Sequence, residues 1–196
     1  MKNNLIKAIF VGLYIFILIT AYNTNISYAE KNGFSGDSKY IWIDEENSSN
    51  SWVCFRKKFE IKEKNKDSYK ARIAVDSKYW LYINGQIIIR EGGLKRSEKN
   101  SIYYDEIELQ DYLKEGKNTI GILVWHFGRY SFSHIDSSLG CLLFYMDIGE
   151  NQIISDTSWK TIKNHAYLQD EKEVPVRLSE SNIYYDSSLE ITNWYE

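Results

Sequence analysis

The sequence predicts an all-β protein, an antiparallel β-sandwich that follows an N-terminal signal peptide. Short apolar and aromatic segments recur at intervals of about 8–12 residues, which is the strand spacing typical of sandwiches and barrels. The dipeptide Asn84-Gly85 separates two apolar arms, and it suits a type I′ hairpin turn because both central positions of that turn need positive φ. Strands do not alternate with long helices, which argues against a parallel α/β sheet.

The N-terminus has the pattern of a targeting segment. Lys2 and Lys7 accompany an apolar run over residues 8–22, which is shorter than the roughly 20 residues that a membrane-spanning helix needs. The tripeptide Ser-Tyr-Ala before Glu30 places small residues at the positions that signal peptidases prefer. We therefore expect a signal peptide over residues 1–29 and a secreted protein; the alternative is an uncleaved anchor that keeps the chain at the cell surface.

The polar, glycine-containing residues 30–39 predict a flexible lead-in, and residues 40–196 are long enough for one sandwich domain with its own core. Period-two alternation predicts a strand over residues 52–61, because Val53, Phe55 and Phe59 share one face and Arg56 the other. The same patterns, or short apolar runs between turn residues, predict strands over residues 40–43, 69–75, 80–83, 87–89, 102–109, 119–127, 140–148, 152–155, 158–163 and 183–189. A helical turn is predicted over residues 110–114, and an irregular connection over residues 164–180, which contain the only proline.

Charge and composition limit the class of partner. Without Lys2 and Lys7 of the targeting segment, 22 basic residues face 27 acidic ones. An acidic domain is a poor electrostatic match for nucleic acid or anionic lipid, so we expect neither as a partner. Aromatic residues make up 15% of the chain; strand propensity explains part of this content, and stacking on sugars is a second explanation.

The cysteines and histidines do not form a recognised metal motif. Cys54 and Cys141 can form a disulfide outside the cytoplasm, and the alternative is two buried thiols on separate strands. His126 and His134 are eight residues apart with Asp136 nearby, but this spacing matches no zinc motif. We expect no cofactor, with a structural calcium held by loop carboxylates as the alternative.

Several motifs occur in an order that points to a known family. Residues 52–59, 74–85, 103–109, 113–118, 124–128 and 155–160 contain WVCFRKKF, AVDSKYWLYING, YYDEIEL, LKEGKN, VWHFG and SDTSWK. In this order the motifs resemble the N-terminal β-sandwich domain of bacterial α-L-rhamnosidase-type glycoside hydrolases. The resemblance implies a jelly-roll, galactose-binding-like sandwich in a carbohydrate context. In such enzymes the catalytic residues lie in a separate (α/α) barrel, so the resemblance implies a non-catalytic domain.

Two loops combine aromatic rings with hydrogen-bonding side chains, the combination that a sugar needs for its apolar face and its hydroxyl rim. The candidate carbohydrate contacts in these loops are Arg96, Tyr103, Tyr104, Trp125, His126, Arg129 and Tyr130. The alternative is that Trp125 and Tyr103 are core residues and that the others lie in solvated loops.

No catalytic residue is predicted. Glycoside hydrolysis needs two carboxylates across the scissile bond, and the chain offers Asp76, Asp105, Glu106, Asp136 and Asp186 only by count. Asp76 is better explained as an acceptor at a turn, and no G-x-S-x-G nucleophile motif is present.

The sequence therefore predicts a non-catalytic module for carbohydrate recognition or for docking to the catalytic domain of a glycoside hydrolase. One alternative is a truncated or split fragment of an α-L-rhamnosidase-type hydrolase whose catalytic barrel is missing. The other is a protein-interaction sandwich without affinity for glycans. The expected partners are carbohydrate or that catalytic domain, and a membrane only through a retained targeting segment.

Overall fold

The computed structural model describes residues 33–34, 36–43, 49–64, 69–94, 102–132, 134–136, 139–149, 151–168 and 178–196. The chain divides into two compact units, Met1–Ser38 and Lys39–Glu196. The described residues of the first unit form turns and bends. The predicted signal peptide and Arg96 lie outside the described residues. Where the structure is described, no helix is both long and apolar enough to cross a membrane.

The regular elements described in the second unit are β-strands, apart from one 3₁₀ turn over Ser187–Leu189. In chain order they are β1 (Ser51–Ile61), β2 (Lys70–Asp76), β3 (Lys78–Ile83), β4 (Gln86–Gly93), β5 (Asp105–Glu108), β6 (Gly116–His126), β7 (Cys141–Asp147), β8 (Gln152–Ile154), β9 (Lys160–Lys163), β10 (Tyr167–Leu168) and β11 (Tyr184–Tyr185). They form a five-stranded sheet in the order β4-β3-β6-β1-β9, a four-stranded sheet in the order β5-β2-β7-β8, and the ribbon β10-β11. Every pairing is antiparallel, and the predicted all-β antiparallel sandwich is confirmed.

The five-stranded sheet is apolar on both faces. Since successive side chains of a strand point to opposite faces, Val53 and Phe55 of β1 join the main core, whereas Trp52 and Cys54 join a second apolar cluster. Strand β6 alternates in the same way, with Val124 in the main core and its neighbours in the second cluster. An outer sheet face of this composition needs a cover, because exposed apolar patches are costly in water.

The cover of the outer face comes from the C-terminal part of the chain. The ring of Tyr167 stacks on Trp52 at a centroid distance of 3.8 Å, and the ring of Tyr195 stacks on Tyr82 at 4.7 Å. Gly121 of β6 makes this approach possible, because a Cβ atom there would lie 2.7 Å from Cβ of Tyr195. The residue without a side chain therefore sits where the C-terminal segment rests directly on the sheet.

The Asn84-Gly85 hairpin forms as predicted. Both residues have positive φ, 50° for Asn84 and 85° for Gly85, which matches a type I′ turn. The side chain of Asn84 also accepts a hydrogen bond from the backbone of Thr119 at 3.0 Å and donates to Asn118 Oδ1 at 3.0 Å. The hairpin is thus tied to the adjacent strand β6.

Several predicted elements are shorter than expected or of another kind. Residues 40–43 contribute only an isolated bridge between Ile41 and Leu142, and the strand expected over residues 102–109 is limited to β5. The helical turn over residues 110–114 is a hydrogen-bonded turn closed onto the carbonyl of Leu109. The strand expected over residues 183–189 is β11 followed by a single 3₁₀ turn.

The connection over residues 164–180 is not irregular throughout. It contains β10, which pairs with β11 across a long separation in sequence. The physical reason is the aromatic cover described above. Tyr167 stacks on Trp52 of β1, which is far away in the chain, so the local sequence carries no sign of this strand.

Candidate functional site

A buried carboxylate lies at the end of β2. Asp76 Oδ1 accepts a hydrogen bond from Ser77 Oγ at 2.8 Å, and it lies 3.1 Å from His126 Nδ1 and 3.3 Å from His134 Nε2. The side chains of these three charged or titratable residues are almost fully buried. A buried carboxylate is tolerated when it has enough hydrogen-bond donors around it. The contacts with Ser77, His126 and His134 provide Asp76 with such partners.

Strand topology explains why these residues meet. Asp76 ends β2, His126 ends β6, and β1, β3 and β7 begin at the same end of the sandwich. Ser77 then crosses between the sheets, and its backbone N–H donates to the carbonyl of Trp125 at 3.0 Å. Its hydroxyl accepts from the backbone N–H of Phe127 at 3.1 Å. We call this edge of the domain the His126 end.

His134 anchors the loop that follows β6. Its ring lies edge-on to Phe127 at a centroid distance of 5.4 Å. Its Nδ1 atom is buried, and no group in the described part of the chain forms a hydrogen bond with it. Because His126 and His134 both reach Asp76, the loop between them is held at its two sides.

Two members of this network, Asp76 and His134, together with Asp136 carry the ligand atoms that a metal ion requires. Ligand atoms of Asp76, His134 and Asp136 lie within 4.8 Å of one another. One imidazole nitrogen and two carboxylates form a mixed donor set of the kind that suits Zn²⁺ or Mn²⁺, whereas Ca²⁺ prefers oxygen ligands alone. These are the residues that would hold a cation.

The loop anchored by the two histidines exposes large aromatic side chains. Tyr130 is 76% exposed and Phe132 is 97% exposed, and Arg129 between the strand and these rings is half-buried. Phe132 was not among the predicted contacts. It lies in the same loop as Arg129 and Tyr130, and the path of the loop places its side chain in solvent.

The other predicted loop reaches the same end of the domain. Tyr103 is 45% exposed, and Tyr104 is half-buried, with the Arg72 guanidinium 5.8 Å from its ring centroid. Both residues directly precede β5, whose first residue Asp105 pairs with Ile73 in the middle of β2. Because the pairing is antiparallel, the chain before Asp105 lies toward the Asp76 end of β2. Both candidate loops therefore lie toward the His126 end, although Arg96 of the first loop lies outside the described residues.

Two of the predicted contacts, Trp125 and His126, are buried. The Trp125 ring stacks on Trp52 at 4.5 Å, and its Nε1–H donates to Asn50 Oδ1 at 2.9 Å. His126 faces Asp76 and has the Trp42 ring edge-on at 5.9 Å. The side chains of Trp125 and His126 are therefore part of the buried interior, whereas those of Tyr103 and Tyr130 are exposed to solvent.

The other carboxylates that the sequence offered are engaged by neighbouring groups. Asp105 accepts from the Tyr79 hydroxyl and from the backbone N–H of Gly93, each at 2.9 Å. Burial and this carboxylate together raise the pKa of Tyr79 well above its usual range. Asp186 caps the 3₁₀ turn through the backbone N–H of Ser188 at 2.9 Å.

Glu106 forms an exposed ion-pair network across the β2–β5 pair. It accepts from Arg72 Nε at 3.0 Å and lies 3.3 Å from Lys70 Nζ. The hydrogen bonds from Arg72 and Lys70 hold the pKa of Glu106 below its usual value.

Cys54 and Cys141 are not joined by a disulfide, and they lie in different sheets. Cys54 is buried in the outer cluster and accepts a hydrogen bond from Asn164 Nδ2 at 3.7 Å. Burial raises the pKa of the Cys54 thiol to about 12, and the Asn164 contact opposes this with a smaller effect. The two thiols lie on separate strands, and Cys141 is half-buried, whereas the alternative to a disulfide expected both thiols to be buried.

The two antiparallel sheets form a domain whose fold is similar to part of several α-L-rhamnosidases. It is similar to a GH78 family rhamnosidase of Bacillus sp. GL1, with a TM-score of 0.61 and 28% identity over 67% of this chain and 14% of that chain. The α-L-rhamnosidase from Aspergillus terreus gives a TM-score of 0.65 and 22% identity over 82% of this chain and 20% of that chain. The α-L-rhamnosidase from Dictyoglumus thermophilum gives a TM-score of 0.56 and 24% identity over 81% of this chain and 18% of that chain.

These likenesses confirm the predicted resemblance to the N-terminal sandwich of rhamnosidase-type enzymes. The chain spans between 14% and 20% of the length of these enzymes. No family model and no curated protein matches the sequence.

Proposed function

We propose that this chain is a secreted, non-catalytic module that binds carbohydrate at the His126 end of its sandwich. The observation that carries the proposal is the pair of highly exposed aromatic rings, Tyr130 and Phe132, on a loop anchored by buried residues. An exposed ring covers the apolar C–H face of a sugar, and Arg129 beside the rings can bond its hydroxyl groups.

The anchored loop favours binding for an energetic reason. A flexible loop loses conformational freedom when it grips a ligand, at a cost of about 0.5–1.5 kcal/mol for each side chain that becomes ordered. Asp76 joins the two flanking histidines, so part of this ordering takes place during folding. Tyr103, which is exposed before β5, is a further aromatic candidate at this end of the domain.

The contacts of the carboxylates support a non-catalytic role. Asp105, Glu106 and Asp186 each bond to groups of the sandwich itself, and Asp76 is buried among its donors. A hydrolytic pair needs two carboxyl groups roughly 5–10 Å apart across an accessible glycosidic bond.

The proposal is tested by titrating the purified chain with rhamnose-containing oligosaccharides in a calorimeter, after a glycan array has selected the ligand. The double variant Y130A/F132A should lose at least ten-fold in affinity. Tyr112→Ala is the matched control, because Tyr112 is an exposed tyrosine beside the Asn84 hairpin at the opposite end. Absence of glycan binding, or equal loss in the control, would refute the proposal. Hydrolysis of an aryl rhamnoside by the chain would refute its non-catalytic part.

A second candidate function is docking to the catalytic domain of a glycoside hydrolase. It is favoured by large apolar and aromatic side chains exposed on the β10–β11 ribbon, namely Leu168, Tyr184 and Tyr185, and by the exposed Ile183 just before β11. If docking occurs there, the variant I183D/Y184D should abolish co-sedimentation with a separately expressed rhamnosidase barrel. The same variant should leave glycan binding unchanged, so the two functions can be distinguished.

A further inference from the structure

A cleft lies away from the His126 end, on the outer face of the five-stranded sheet. It has a volume of about 340 Å³ and is bounded by β1, by the edge strand β9 and by residues 191–194. This volume falls within the range of about 300–1,000 Å³ typical of small-ligand sites. Arg56 on its floor follows Ser51 by five residues, which separates it from the His126 end by roughly 17 Å along the strand.

The cleft holds an unusual pair of cations. Arg56 and Lys160 are direct partners in the antiparallel β1–β9 pair, so their side chains lie on the same face of the sheet, and both line the cleft. Like charges in direct cross-strand positions destabilise a sheet. An anion bound between these two side chains would attract both of them and so offset their mutual repulsion.

Among the described residues, no side-chain carboxylate forms an ion pair with Arg56 or Lys160. Arg56 donates from Nη1 to the main-chain oxygen of Glu196 at 3.2 Å. A guanidinium has five N–H donors in a planar fork, so Arg56 keeps donors for a carboxylate in the cleft.

The opposite wall of the cleft is aromatic and polar. Trp194 lines it and is held by edge-to-face contacts with Tyr82 at 5.3 Å and Tyr195 at 5.4 Å. Thr192 and Asn193 beside it supply a hydroxyl and an amide. This combination suits a sugar ring, which offers C–H bonds to an aromatic side chain and hydroxyl groups to polar ones.

The wall is also fixed in place. Asn193 adopts a positive φ of 55°, and the turn that it begins is closed by a hydrogen bond from Glu196 N to its carbonyl at 3.2 Å. Gly121 lets the following Tyr195 rest on the sheet. The cleft is therefore formed before any ligand arrives.

From these observations we infer that the cleft binds a sugar that carries a carboxylate, a uronic acid residue. Arg56 holds the planar carboxylate in a bidentate contact, and Lys160 adds a second positive charge. Trp194 covers the apolar face of the ring, while Thr192 and Asn193 bond to its hydroxyl groups. This site is distinct from the loop surface of the proposed function.

The test measures binding of digalacturonate to the purified chain by calorimetry, with the neutral disaccharide cellobiose and inorganic phosphate as comparison ligands. The wild-type chain should bind digalacturonate and bind both comparison ligands at least ten-fold more weakly. Arg56→Gln and Trp194→Ala should each weaken digalacturonate binding ten-fold or more, and a higher salt concentration should weaken it as well.

Lys58→Gln is the matched control, because Lys58 is an exposed cation two residues from Arg56 on the same strand and does not line the cleft. It should bind digalacturonate as the wild type does, and so should Y130A/F132A, which separates this site from the proposed function. Circular dichroism checks that each variant is folded. Equal binding of digalacturonate and phosphate, or undiminished binding by a folded Arg56→Gln chain, would overturn the inference.

Discussion

Asp76 Oδ1 and His134 Nε2 lie 3.3 Å apart although 58 positions separate the two residues in the chain. The contact joins the end of β2 to the loop after β6, and His126 reaches the same oxygen from the end of β6 itself. One buried carboxylate thus holds together the end of the domain that carries the exposed aromatic rings.

Replacement of Asp76 by alanine should destabilise the protein strongly. The change leaves His126, His134 and the Ser77 hydroxyl without their shared acceptor in a buried position. Breaking a buried network of this kind costs about 3–5 kcal/mol. Urea denaturation measures the loss, and Asp111→Ala, a change at an exposed aspartate, should cost less than about 0.5 kcal/mol. Similar stabilities of the two variants would contradict the role assigned to Asp76.

Substitution of Gly121 by alanine should loosen the C-terminal segment. The added Cβ would lie 2.7 Å from Cβ of Tyr195 and 3.0 Å from its Cα, so the segment must move. Overpacking of this kind costs about 1–3 kcal/mol. Limited proteolysis should then remove residues near the C-terminus faster than in the wild type.

The control for this prediction is Gly149→Ala, which adds the same methyl group where no atom lies within 4 Å. Gly149 has a φ of +90°, so this control carries backbone strain but no collision. It should lower the melting temperature without exposing the C-terminal segment to protease. If Gly121→Ala left the cleavage rate at the wild-type value, the packing described for Tyr195 would be wrong.

Replacement of Trp125 by phenylalanine should lower the free energy of unfolding by about 1–3 kcal/mol. The indole N–H donates to Asn50 Oδ1 in a buried contact, and the change leaves that acceptor unsatisfied. Trp80→Phe is a matched comparison, since Trp80 is half-buried in the same cluster. Thermal denaturation should show the larger loss for Trp125→Phe, and the reverse order would argue against the hydrogen bond.

The protein should lose stability as the pH rises above about 9. Burial raises the pKa of Cys54 from 9.0 to about 12 and that of Tyr167 from 10.0 to about 12, the latter with a smaller contribution from Tyr185. Between these values the unfolded chain has released protons that the folded chain still binds, so the free energy of unfolding falls with increasing pH. Denaturation in urea at pH 8 and at pH 10.5 measures the effect. Cys54→Ala and Tyr167→Phe should each flatten this dependence, and an unchanged slope in both would disprove the assignment.

Local sequence patterns predicted much of the fold. The alternation in β1 and the turn at Asn84-Gly85 depend on neighbouring residues alone, and both appear where they were expected. The loop residues Tyr103 and Tyr130 were likewise found exposed, as the polar and aromatic character of their segments suggested. The proposed carbohydrate contact itself stays a prediction.

The tertiary structure decided what no local pattern contains. The pairing of Tyr167 with Trp52, the meeting of Asp76 with two histidines, and the juxtaposition of Arg56 and Lys160 all join residues far apart in the chain. Such contacts depend on strand order and register, which are set by the packing of the whole core. The sequence alone therefore determined a rhamnosidase-type β-sandwich, and only the folded chain decided which side chains share a surface, because proximity in space is a property of the sheets rather than of any one strand.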